Sequence, residues 1–133
     1  MLFKIHTPST VPIYEQIVTQ IIFGIASGAL EVGECIPSVR DLGEQLVVNP
    51  NTVARAFQEL ERAHIVQGRR GVGMEVTPEA PGLCRSRQRE IVQGLIREAI
   101  RAAAASALSH EEVLALFEDE LKRFSTSGNG KRR

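Results

Sequence analysis

The side chains best placed to do chemistry here are hydrogen-bond donors, not nucleophiles. Asn51, Arg55, Gln58 and Arg62 recur at helical spacing, and Arg69 and Arg70 follow between Gly68 and Gly71. Amide and guanidinium groups in this pattern do recognition chemistry, donating to phosphate oxygens and to the base edges of a duplex. Bond-making groups do not assemble in the same way. No Ser-His-Asp set and no paired carboxylates fall on a definable scaffold, and Glu118, Asp119 and Glu120 read as a solvated helix face. His6, His64 and His110 are scattered over three segments, and Cys35 and Cys84 lack CxxC spacing. The glycines at 68, 71 and 73 do not follow the GxGxxG pattern, and no GK[ST] comes after them. The expectation is a binding protein with no catalytic residues, no metal and no cofactor.

These donors need a helix to carry them. Asn49 is a good N-cap and Pro50 suits the first helical position, so a helix is predicted to start there. Val53, Ala56, Phe57 and Leu60 cluster within about 100° of its wheel, opposite Asn51, Arg55, Gln58 and Arg62. A narrow apolar stripe backed by a hydrogen-bonding face is what insertion into a DNA groove requires. Upstream, Ser38 caps a shorter helix with Asp41 at capping-box spacing, and Leu42 and Leu46 point inward. Val47–Asn49 is the break between the two.

An earlier helix is predicted from near Thr10–Pro12 to Gly28, with Ile13, Ile17, Ile21 and Ile25 at every fourth position. Residues 1–9 read as extended, with Leu2, Phe3 and Ile5 able to lie on a core. Beyond the donor helix, Ala63–His64 is the stop, with His tolerating a left-handed backbone. Strands Ile65–Gln67 and Val72–Val76 then flank a loop at Gly68–Gly71. Helix, tight turn, helix and basic hairpin is the order of a winged helix-turn-helix.

Thr77–Gly82 holds two prolines and a glycine and reads as a break. The remainder is helical: one helix from Arg87 to about Leu108, then a capping box at Ser109 and Glu112 opening another over His110–Phe124. The expected fold is therefore mostly α with a small β-hairpin. Its winged helix-turn-helix domain spans 1–78, a linker 79–86, a helical dimerisation pair 87–126, and a disordered tail 127–133. Ile91, Leu95, Ile96, Ala99 and Ile100, with Leu114, Phe117 and Leu121, form faces too large to leave in water. They predict a two-fold homodimer; packing of the pair within a monomer is the competing reading.

The charge total is neutral, 16 basic against 16 acidic residues, which predicts weak non-specific affinity for nucleic acid. The distribution is uneven. Five Arg against two Glu lie between Arg85 and Arg101, while five acids sit between Glu111 and Arg123. No apolar run approaches the ~20 residues that span a bilayer, and isolated cysteines suit a reducing cytoplasm. The expected location is cytoplasmic, away from any membrane.

From about Pro12 to Val76 the chain closely resembles the DNA-binding domain of the GntR family of bacterial transcription regulators. The matching stretches are Pro12-Ile-Tyr-Glu-Gln-Ile, Ile36-Pro-Ser-Val-Arg-Asp-Leu, Val48-Asn-Pro-Asn-Thr-Val-Ala-Arg-Ala-Phe-Gln-Glu-Leu-Glu and Arg69-Arg-Gly-Val-Gly. The final helical pair resembles the short C-terminal part of the YtrA-type subgroup. The resemblance implies DNA contacts from Ser38 and Arg40, from Asn49, Pro50, Asn51, Thr52 and Arg55, and from Arg69, Arg70 and Gly71 at the wing tip. It also implies a repressor bound as a homodimer to double-stranded DNA at a palindromic operator. Pro50 and Ala54 stand where some relatives carry Arg, and Met74-Glu75 replaces a common Thr-aromatic pair. About 45 residues follow the winged helix and its linker, too few for an enclosed ligand cavity, so a small-molecule effector is expected only at the dimer interface or between the two parts. The competing class is a winged helix used as a protein-protein interaction module, its Arg face on an acidic partner.

Overall fold

Isoleucine at every fourth position lays one face of the first helix, α1 (Ile13–Ser27), on the core. Ile17 and Ile21 are fully buried, with Ile22 and Ile25 beside them, while Ile13 is half-buried. The computed structural model describes residues 10–71 and 73–126. The expected extended segment 1–9, the expected tail 127–133 and Val72 lie outside them. α1 ends at Gly28, whose φ of +89° is open to glycine and closes the helix with a bond to the Ile25 carbonyl.

The second helix, α2 (Val39–Leu46), starts where Ser38 Oγ accepts the Asp41 N–H at 3.0 Å. It stops at Val47, which takes a left-handed φ of +56° and is 90% exposed. A β-branched residue there is unusual, and the tight turn imposes it. Gly43 fits tightly at the same corner. A Cβ on it would lie 3.0 Å from the Val48 carbonyl oxygen, so its absence lets the next helix approach. That helix, α3 (Pro50–Arg62), is capped by Asn49 Oδ1, which accepts the Asn51 N–H at 2.8 Å. Val53, Ala56, Phe57 and Leu60 are all buried, as the apolar stripe predicts. His64 follows with φ +66°, the left-handed stop expected of it.

The wing is a sheet of three antiparallel strands rather than a bare hairpin: β1 (Cys35–Ile36), β2 (Val66–Arg69) and β3 (Gly73–Val76), in the order β1-β3-β2. β1 has only two residues, too few to show alternation in sequence. Flanking backbone bonds hold it, Val76 N–H to the Glu34 carbonyl and Gly33 N–H to the Val76 carbonyl. β2 begins one residue later than expected because Ile65 is still tied to the helix end, its N–H on the Leu60 carbonyl. β2 also runs on through Gly68 to Arg69, and β3 includes Gly73, so Arg70 and Gly71 lie between the two strands at the tip.

The expected linker at 79–86 is a correction. The fourth helix, α4 (Ala80–Ala104), already includes most of it. Pro81 falls in the first turn, where a missing N–H costs nothing, and buried Ala80 and Cys84 fix that turn to the core. The helix ends at Ala104, before the expected Leu108, where Ser106 donates its hydroxyl to the Ala103 carbonyl and accepts the Leu108 N–H. The fifth helix, α5 (His110–Thr126), opens with both halves of the capping box: Glu112 N–H to Ser109 Oγ and Ser109 N–H to Glu112 Oε1.

Two compact units result, divided between Ile91 and Val92 inside α4. The first holds the core, built from α1, the helix-turn-helix, the sheet and the start of α4. In the second, no described residue is buried.

Candidate nucleic-acid interface

The turn between α2 and α3 decides what the third helix shows to solvent. With Val53, Ala56, Phe57 and Leu60 turned in, Asn51, Arg55, Gln58 and Arg62 are exposed and Thr52 is half-buried. Ser38 and Asn49 spend side-chain acceptors on their own helix starts, so both hold backbone N–H groups in place as well as facing outward. Arg40 is exposed in the first turn of α2, and Pro50 is exposed at the first position of α3.

Two of the expected site residues have partners that were not anticipated. The Arg55 guanidinium lies 3.8 Å over the centre of the Tyr14 ring, a cation–π pair joining α3 to α1. Pro12, Ile13, Tyr14, Asn51, Thr52 and Arg55 line one shallow depression at the paired helix starts. In sequence Tyr14 stands only beside the isoleucine stripe of α1, and no local signal links it to Arg55, since the pair is made by tertiary approach. In the wing, Arg69 Nη1 bonds Glu75 Oε1 at 2.7 Å, and Gln67 Nε2 donates to Glu75 Oε2 at 3.1 Å. Glu75 is buried, whereas the Arg69 side chain is 60% exposed. The cross-strand pair Gln67↔Glu75 would have disclosed this cluster once the hairpin register was known. Arg70 and Gly71 are exposed at the tip, with Gly71 at φ +80°, and Arg70 makes no salt bridge among the described residues.

Elsewhere, no group of three or more His, Cys, Asp or Glu side chains could hold a metal ion among the described residues. Burial pushes the Cys84 thiol up to about 11, so it is neutral and unreactive near pH 7, while Cys35 is exposed. No described helix is long and apolar enough to cross a membrane.

Of the residues expected at a dimer interface, Leu95, Ile96, Ala99, Ile100, Leu114 and Leu121 are exposed and Phe117 is half-buried. Ile91 packs partly against the core of the first unit.

Residues 13–76 match the profile of bacterial regulatory proteins of the gntR family. Over 123 residues the chain is 33% identical to YhcF of Bacillus subtilis, an uncharacterized HTH-type transcriptional regulator, covering 90% of this chain and 95% of YhcF. The chain belongs to the GntR family. Its relatives include the HTH-type transcriptional repressor YtrA of B. subtilis, 39% identical over 79 residues. That match takes in 59% of this chain and 61% of YtrA. A GntR family transcriptional regulator from Listeria monocytogenes has a similar structure, with a TM-score of 0.67 at 31% identity, over 84% of this chain and 96% of that one. YtrA from Sulfolobus acidocaldarius, a GntR-family transcription factor, follows with a TM-score of 0.56 at 32% identity, over 80% of this chain and 100% of that one. A winged helix followed by a helical pair places the chain with the short, YtrA-type members. These relatives are transcription regulators, not enzymes.

Proposed function

We propose that this GntR-family chain is a sequence-specific DNA-binding transcriptional regulator, and that it represses by occupying a palindromic operator as a homodimer. The carrying observation is the division of α3: one face wholly buried, the other lined by Asn51, Arg55, Gln58 and Arg62 and left bare. In this reading Asn51, Thr52 and Arg55 meet base edges and nearby phosphates in the major groove. Ser38, Arg40, Asn49 and Pro50 sit at the starts of α2 and α3, where the partial positive charge of a helix N-terminus favours phosphate. Arg70 and Gly71 follow the adjacent minor groove. The relative YtrA of B. subtilis is a transcriptional repressor by name.

The exposed apolar residues of the second unit support the dimer. Leu95, Ile96, Ile100, Leu114 and Leu121 are each 46–65% exposed on their helices. A two-fold pair would offer two α3 helices to half-sites about one helical turn apart. The test is selection of bound fragments by the full chain, followed by affinity for the selected and a random duplex at two salt concentrations. A steep salt slope with a strong preference for one palindrome supports operator binding. Equal, weak binding to both points instead to a winged helix that serves protein contacts.

A further inference from the structure

We propose that Glu75 sets DNA specificity by holding the Arg69 guanidinium back on the wing sheet, leaving Arg70 as the cation that the wing offers to DNA. The inference rests on the operator-binding reading above. Arg69 is the last residue of β2 and stands opposite Gly73, while Glu75 stands opposite Gln67. The Arg69–Glu75 bond is therefore a diagonal contact directed toward the base of the hairpin, away from its tip. Glu75 is only 8% exposed, and both of its oxygens are occupied, one by Arg69 and one by Gln67. A carboxylate this buried is costly to leave without a cation, so the attachment of Arg69 is held by desolvation as well as by attraction.

A phosphate would have to take Arg69 from this buried partner, whereas Arg70 is exposed with no salt bridge among the described residues. In a chain with zero net charge, withholding one cation matters. It removes a contact that every duplex offers equally and leaves the sequence-dependent contacts of α3 to decide affinity.

The experiment measures salt dependence of binding by the full chain to its selected operator and to a random duplex. Glu75→Gln keeps the size of the side chain but removes the charge that holds Arg69 and leaves one acceptor oxygen in place of two. It is expected to steepen the slope of log affinity against log salt by about 0.9, and to raise random-duplex affinity about tenfold near 0.1 M salt. The operator-to-random ratio then narrows. Glu75→Asp, which retains the charge, is expected to keep the original slope. Arg69→Gln alone is expected to leave the slope nearly unchanged, and to cancel the steepening when added to Glu75→Gln. A wild-type slope in Glu75→Gln, or a slope shallower by about 0.9 in Arg69→Gln alone, would overturn the assignment. If Glu75→Gln fails to fold, the Arg69→Gln slope decides between the same two results. Failure of the underlying reading looks different: the unmodified chain would prefer no duplex at all.

Discussion

Arg55 does not swing freely from α3; the Tyr14 ring holds it 3.8 Å from its centre. Such a stack at an exposed site contributes about 0.5–1 kcal/mol, and here it fixes the direction of a candidate base-reading group. Tyr14→Leu is therefore expected to weaken operator binding two- to fivefold while Tyr14→Phe leaves it intact, as fluorescence anisotropy with labelled operator would show; the range is about 0.5–1 kcal/mol converted. Cys84 gives a second expectation at this scale. Its thiol is buried and titrates near 11 in the folded chain against an ordinary 9.0. The raised value means that the unfolded thiol ionises first. Stability from this group is complete below pH 9 and falls as pH rises toward 11, which thermal melts across that window would detect and Cys84→Ser should flatten. Neither partnership could be read along the chain, because Tyr14–Arg55 and Glu75–Arg69 depend on how separate elements meet.

Elements whose ends are chemical signals were legible. Ser38, Asn49 with Pro50, His64 and Ser109 with Glu112 each mark a boundary where the structure has one, because a cap is a local contact. The buried stripe of α3 was legible for a similar reason, since helical geometry alone sorts Val53, Ala56, Phe57 and Leu60 from their neighbours. β1 was not, as two residues carry no period and the strand exists only through bonds to β3. The start of α4 was misread because Pro81 and Gly82 usually break helices, yet in a first turn they are tolerated, and burial of Ala80 and Cys84 secures the turn. The cap logic makes its own prediction. Asn49→Ala removes the acceptor for the Asn51 N–H at the start of the candidate reading helix. It should cost about 1 kcal/mol, seen as a lower urea midpoint with an unchanged m-value. A midpoint that does not move would show that Pro50 and packing hold the helix start without it.

At the scale of the molecule, the two units differ in how completely they bury themselves. The first encloses a core of Ile, Leu and Val around α1 and α3, whereas the second exposes Leu95, Ile100, Leu114 and Leu121. Leu95→Glu with Leu121→Glu should convert a homodimer to a monomer at micromolar concentration by sedimentation equilibrium, and operator affinity should drop with it; a mass unaffected by both changes would assign those faces elsewhere. Neutral overall charge fits the same division of labour, since it lowers attraction to any duplex and leaves recognition to a few placed groups. Family membership places the chain among bacterial regulators; under the proposed function, what it recognises turns on the bare side of α3. The most direct test is the ratio of affinities for the selected palindrome and a random duplex, measured at one fixed salt concentration, in the full chain and in Asn51→Ala and Arg55→Ala. The ratio should be about 10³ or more in the unmodified protein, and each substitution should cost about 1–3 kcal/mol on the palindrome with little change on random DNA. A ratio near one, or two variants that bind the palindrome as tightly as the unmodified chain, would contradict the role given to that face.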